Sequence, residues 1–371
     1  MKTGLTLRLL TALSAASLAA MAPAHAASAG SLEAEFDSMF TAAAPKVRAE
    51  VAAPRITVQR SVAPKASAQA APLVALAPVN PAPAMPSFAN PFEASIAALA
   101  EGSQGRIGVA ALDLDSGRAV TVLGEQAFPM ASTSKIAIVA TFLAGVDEGR
   151  FKLYDQYPLL VPVPSKKFSS AQAPVRQGTM MSALSLIEAT ITRSDNQATD
   201  ALLAAVGGPH AVTRWVHSRT GITDFRIDRT IATLVRDDGA VNPAVSIDKR
   251  DSVTPLGMVR LLSGIYRREW LSPMSSDVLL GAMSRTVTGK HRIRGLLPQG
   301  TQVAHKTGTL SNTASDVGFI KTPDGRNLAV AIYVTGQGGK PQRDARIAAI
   351  ARALYDGYLA EAASSRRAAL R

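Results

Sequence analysis

Ser132 and Lys135 stand three residues apart at the head of an apolar run, residues 136–143, with helical composition. On a helix that spacing puts both side chains on one face about a turn apart, so an amine can reach a hydroxyl. The pair is an activated nucleophile in outline, provided the lysine is partly neutral and can take the serine proton. At a helix N-terminus Ser132 also meets unpaired backbone N–H groups, which favour the negative charge that grows during acyl transfer. Pro129, just upstream, suits a tight start to the helix. Capping alone would also explain a serine there, so the pair needs support from elsewhere in the chain. Two triplets supply it. Ser194-Asp195-Asn196 follows a helical run ending near Thr192, and Lys306-Thr307-Gly308 lies on the first of the late strands. Each triplet is common by chance; all of them in order, each in a suitable setting, are not.

The elements that must position these groups are legible from periodicity. An amphipathic helix carries Phe92, Ile96 and Leu99, and a hairpin follows from strands at 106–114 and 119–123 around Asp115-Ser116-Gly117. Helices are expected at 181–192, 198–206, 210–219 and 254–268. Strands are expected at 303–309, 316–322 and 327–335, the last two joined by Pro323-Asp324-Gly325. A helix over 344–359, with Ile347, Ile350, Ala351 and Leu354 on its apolar face, closes the pattern. Terminal strands and helices around a helical insert predict an α/β (α+β) fold, an antiparallel sheet flanked by helices plus an all-helical subdomain. The cleft between the two parts is the natural place for a site.

Composition narrows the function. In residues 1–26, Lys2 and Arg8 precede an apolar run ending at Met21, and Ala24-His25-Ala26 has the form of a signal peptidase site. We read a cleaved secretory signal, no membrane span in the mature chain, and a periplasmic protein. Residues 27–90, rich in Ala, Pro, Ser and Val, lack the large apolar side chains that offset chain entropy, and read as a disordered linker. Within it Leu32, Phe36 and Phe40 recur every four residues, a short amphipathic face that could dock an envelope partner. The folded domain then spans 91–360, and 361–371 is a basic tail with Arg366, Arg367 and Arg371. The chain has no cysteine, which excludes disulfides and thiolate metal sites. Its five histidines include no pair at one-turn spacing with a carboxylate, so neither a metal nor another cofactor is implied. The net charge of +12 comes without an aromatic-and-basic ribbon and gives no sign of nucleic-acid binding.

Ser-x-x-Lys, Ser-Asp-Asn and Lys-Thr-Gly together are the signature set of class A β-lactamases and penicillin-binding proteins. Residues 92–359 resemble the class A β-lactamase family of serine penicillin-recognising enzymes beyond those triplets. Phe128-Pro129-Met130-Ala131-Ser132-Thr133 resembles the family's approach to its nucleophile, and Val303-Ala304-His305-Lys306-Thr307-Gly308-Thr309 its late strand. Asp316-Val317-Gly318-Phe319-Ile320 and Pro323-Asp324-Gly325-Arg326 resemble the hairpin after it.

The resemblance implies a hydrolase that opens the β-lactam amide through a serine ester. Ser132 would attack and Lys135 would take its proton, with burial and the second cation, Lys306, lowering the lysine pKa. Ser194 would hand a proton to the departing nitrogen, Asn196 would bind the substrate side-chain amide, and Asp195 would hold its loop. The backbone N–H groups of Ser132 and Thr309 would form the oxyanion hole, and Gly308 would leave room for substrate. Lys306, Thr307 and Arg292 would hold the substrate carboxylate. His305 reads as a packed strand residue, since no acidic partner is evident for it.

One departure cuts across this. The family hydrolyses its ester with water activated by a glutamate on a loop after Ser-Asp-Asn; here that position is Ile231, and the asparagine expected four residues later is Val235. No glutamate occurs between Ala189 and Arg268. The loop's anchoring pair, Arg229 and Asp251, is present 22 positions apart, which suggests a lengthened loop with Asp237 and Asp238 as candidate replacement bases. Three readings follow: a β-lactamase with slow deacylation, a penicillin-binding protein or D,D-peptidase acting on cell-wall peptides, and a β-lactam sensor that stays acylated.

Overall fold

The computed structural model describes residues 90–102 and 104–369. The signal, the linker before Asn90 and the face of Leu32, Phe36 and Phe40 lie outside the described residues. Helix α1 (Pro91–Ala100) is capped by the Asn90 side chain, which accepts from the Glu93 N–H. Strands β1 (Ile107–Asp113) and β2 (Ala119–Val122) form the expected hairpin. The later strands are β7 (Val303–Leu310), β8 (Thr313–Lys321) and β9 (Asn327–Thr335). They join the hairpin in one antiparallel sheet of order β2-β1-β9-β8-β7.

Central strand β9 is buried along its whole length, so alternation sends its side chains to two cores. Leu328, Val330, Ile332 and Val334 face a layer formed by α1 and the terminal helix α9 (Lys340–Ala369). Ala329, Ala331 and Tyr333 face the larger core, which the sheet shares with the helical part. The sequence expectation ends the last helix at Leu359; the structure carries it on to Ala369, through most of the expected basic tail.

Helix α2 (Lys135–Asp147) lies in that larger core and is buried on every side from Lys135 to Gly145. A helix apolar all round has no solvent face, so its N-terminus is held rigidly. Around it pack α3 (Ala183–Thr192), α4 (Asn196–Ala205), α5 (Pro209–Thr220) and α8 (Pro273–Ser284), while α7 (Pro255–Tyr266) lies against β1, β8 and β9. The helical part is not wholly helical: β4 (Gln156–Pro162) pairs with β5 (Val175–Ser182) in a separate hairpin. Neither strand alternates between buried and exposed residues, so the period-2 signal was absent. No helix among the described residues is long and apolar enough to cross a membrane.

Candidate active site

A two-residue strand, β3 (Phe128–Pro129), leads into a 3-10 turn, Ala131–Ser134, that continues directly as α2. Ala131 has φ of 49°, and Ser194, at the facing corner, has φ of 61°. Left-handed backbone at a residue other than glycine costs of order 1–3 kcal/mol and persists where the surroundings impose it. Strain thus gathers beside one candidate hydroxyl and at the other. Ser132 is half-buried while Ala131, Thr133 and Ser134 are buried, so the turn presents this side chain to the cleft.

Lys135 is fully buried, and its ammonium donates to the Ser194 carbonyl at 2.7 Å, Ser194 Oγ at 3.2 Å and Asn196 Oδ1 at 2.7 Å. Lys306, equally buried, donates to Ser194 Oγ at 2.9 Å and to the Thr307 carbonyl at 2.9 Å. Ser194 Oγ therefore bridges two cations, and Asn196 is committed at its oxygen while its amide N–H groups stay available to another partner. Burial lowers the Lys135 pKa to about 7, with Asp195 and then Asp200 pulling the other way. Burial and then Lys135 push Lys306 well below its ordinary value, and repulsion between two ammoniums acts on both partners. Asp195 caps α4 by accepting from the Ala198 N–H at 2.9 Å, the loop-holding place expected for it.

Edge strand β7 lies against the nucleophile turn. A Cβ on Gly308 would come within 2.5 Å of both the Met130 carbonyl and Ser315 Oγ. The glycine therefore makes room for the turn carrying Ser132. Gly308→Ala should push β7 off that turn and slow acylation about 10²-fold or more, the cost of a misplacement near 1 Å. Stopped-flow labelling with a fluorescent penicillin measures this, and an unchanged rate would refute the account.

Arg292 is buried and turned inward. It donates to Asp344 at 2.7 Å, to the Gly308 and Ser315 carbonyls at 2.8 Å each, and to Thr309 Oγ1 at 2.6 Å. The expected open grip on a substrate carboxylate is replaced by a hold on the strand. Exposed Thr309 is what Arg292 offers to the cleft, and Thr307 Oγ1 bonds Thr288 Oγ1 at 2.8 Å beside it. His305 does have an acidic partner: its Nδ1 bonds Asp316 at 2.8 Å, both side chains fully buried. Alternation along β7 puts His305 on the opposite face from Lys306, so the pair is no part of the serine's proton path.

The loop after Ser-Asp-Asn is anchored as its sequence suggested. Arg229 Nε donates to Asp251 at 2.6 Å, and Asp251 also accepts the Asp228 and Arg229 N–H groups. The Met130 N–H donates to the Asp251 carbonyl at 3.0 Å, and β3 pairs with β6 (Ser252–Val253), so the loop's end and the nucleophile turn are one unit. Breaking a buried pair of this kind costs about 3–5 kcal/mol. Within the loop a short helix, α6 (Ile231–Arg236), begins at Ile231. Ile231 is 3% exposed and belongs to the large core, whereas Val235 is half exposed. The Ile231 and Ala232 N–H groups donate to the two carboxylate oxygens of buried Asp200, at 2.7 and 2.8 Å.

Asp237 and Asp238 do not take the missing glutamate's place. Arg236 holds Asp237 with two bonds, the Phe168 N–H adds a third, and the pKa falls to about 2, chiefly through Arg236. Asp238 accepts the Ser311 N–H with both oxygens, and Lys167 donates to its carbonyl. Both acids fasten the loop to its neighbours. Asp200, Thr288 and Asp344 are the site groups that the sequence reading missed. Only Asp200 left a signal, four residues after Asn196 and so on the same helix face. Among the described residues no cluster of His, Asp and Glu could hold a metal ion.

Comparison with known proteins places this geometry. A family model described as the Beta-lactamase enzyme family matches residues 91–358. A β-lactamase of Proteus vulgaris is 31% identical over 252 residues, covering 67% of this chain and 88% of the relative. Among solved structures, a β-lactamase from Chitinophaga pinensis superposes with a TM-score of 0.62 at 28% identity, covering 72% of this chain and all of that one. An ancestral (GNCA) class A β-lactamase gives 0.61 at 34% identity, covering 71% and 99%.

Proposed function

The chain belongs to the class A β-lactamase family, and from that membership we propose that it opens the β-lactam amide through an ester on Ser132 and hydrolyses the ester slowly. Ser132 attacks the lactam carbonyl as Lys135 takes its proton. With a pKa of about 7, Lys135 is substantially neutral at physiological pH, and its base form grows as pH rises. The backbone N–H groups of Ser132 and Thr309 receive the oxyanion. Ser194, bridged between Lys135 and Lys306, passes a proton to the departing nitrogen. Asn196 takes the substrate's side-chain amide. Lys306, Thr307 and Thr309 meet its carboxylate, with Arg292 holding Thr309 in place.

The observation that carries slow deacylation is the buried Ile231 where a water-activating carboxylate belongs, with Asp200, Asp237 and Asp238 all bonded elsewhere. Loss of a general base costs about 10²- to 10⁴-fold, roughly 3–5 kcal/mol of barrier. Acylation escapes that loss because its base is Lys135. The signal-like residues 1–26 support export and a periplasmic place of action.

A chromogenic cephalosporin, followed by intact-protein mass spectrometry, tests the proposal. The expected result is a burst of about one equivalent and then slow turnover, with the ring-opened adduct dominating at steady state. Linear turnover with no adduct would overturn slow deacylation. Cleavage of a D-Ala-D-Ala peptide would favour the peptidase, and an adduct with no turnover at all would favour the sensor.

A further inference from the structure

Two contacts that look separate meet on one face of α4. Asn196 and Asp200 are four residues apart, so their side chains lie one above the other. Asn196 Oδ1 accepts from Lys135 Nζ at 2.7 Å, and the Asp200 carboxylate accepts the first two N–H groups of α6. Asp200 is 3% exposed, and its two oxygens go to backbone N–H groups, so it acts on the lysine through space. Its charge favours protonated Lys135, after the larger effect of Asp195.

We propose that Asp200 is a positioning residue that couples α6 to Lys135: the carboxylate anchoring the loop helix also supplies a buried negative charge that helps set when the lysine can take the Ser132 proton. The inference rests on Ser132 and Lys135 acting as nucleophile and base. The charged groups facing Lys135 are Asp195 and Asp200 from the loop and α4, and Lys306 from β7. Asp195 caps its own helix, whereas Asp200 holds Ile231 and Ala232. Burial favours the protonated form of Asp200, and the two α6 N–H groups and Lys135 oppose it. If α6 withdraws, Asp200 loses the donors that keep it ionised, and Lys135 loses a negative neighbour and turns neutral more readily. Loop position and base strength are thereby linked, and the link works in both directions.

The test is the pH dependence of Ser132 acylation, followed by stopped flow with a fluorescent penicillin. Asp200→Asn removes the charge and keeps one acceptor for α6, so the acid limb should move to lower pH. For a shift of about one pKa unit, the rate at about pH 6 relative to about pH 8 rises about fivefold. Asp200→Glu keeps the charge and should hold the limb near that of the unmodified protein. An unmoved limb in Asp200→Asn, or the same displacement in both variants, overturns the coupling and leaves Asp200 an anchor only. Should neither variant fold, 13C-aspartate-labelled unmodified protein decides: the Asp200 carboxyl resonance must respond as acylation switches on with pH, and a resonance that ignores that step overturns the proposal. Absence of labelling in the unmodified protein at any pH would instead sink the assignment of nucleophile and base.

Discussion

Ser132→Ala is expected to abolish covalent labelling by a fluorescent penicillin while leaving the melting temperature unchanged. The loss should be on the order of 10⁶-fold, as for removal of a serine nucleophile in a cooperating set. The fold should survive because the turn is held by other groups: Thr133 Oγ1 donates to the Met130 carbonyl and Ser134 Oγ to the Ala131 carbonyl, both at 2.8 Å. Ser194, a second serine hydroxyl in the cleft, already accepts from both Lys135 and Lys306 at its Oγ. Labelling at the original level in this variant would end the assignment of Ser132 as nucleophile.

Ile231→Glu, combined with Val235→Asn, should raise steady-state turnover, with a ceiling of about 10²- to 10⁴-fold for a positioned general base. Two structural facts set the size of the gain. Ile231 is buried in the main core, so exchanging it for glutamate forfeits roughly 1.5–3 kcal/mol of apolar burial. Its backbone N–H is pinned to Asp200, so the new carboxylate enters beside an existing one. Burial and the like charge would raise its pKa above the ordinary value of about 4.3, towards that of an effective base. The sign for stability is then opposite to the sign for rate. The folded variant binds that proton more tightly than the unfolded chain, so its stability should fall as pH rises past the ordinary glutamate pKa. Burst kinetics and thermal melts across pH measure both. Fast hydrolysis by the unmodified protein, with no acyl-enzyme at steady state, would show that another group already activates the water.

Much of the site was legible because its signals are local. Ser132 and Lys135 share a helical turn, Ser194 and Asn196 share a corner, and Lys306, Thr307, Gly308 and Thr309 share a strand. The strands of the sheet were legible for the same reason, since β1 and β2, and then β7, β8 and β9, are each joined by short turns. The β4–β5 hairpin went unread because its strands, one half-buried and one mostly exposed, carry no alternation, and α6 because six residues are too few to show a period.

By itself, the sequence determined which chemical groups exist and which cannot: a serine and lysine one turn apart, two supporting triplets in order, and no glutamate between Ala189 and Arg268. Only the tertiary structure decided how those groups are charged and what they face. Asp200 meets Ile231 across 31 positions and Arg292 meets Asp344 across 52, and no periodicity reports such pairings. Those contacts turn Arg292 away from solvent, and Asp237 and Asp238 are drawn into loop fastening by theirs. Burial shifts Lys135 to near neutrality. The reason is physical: a side chain's type is written at its own position, but its desolvation and its neighbours' charges depend on which distant segments pack against it.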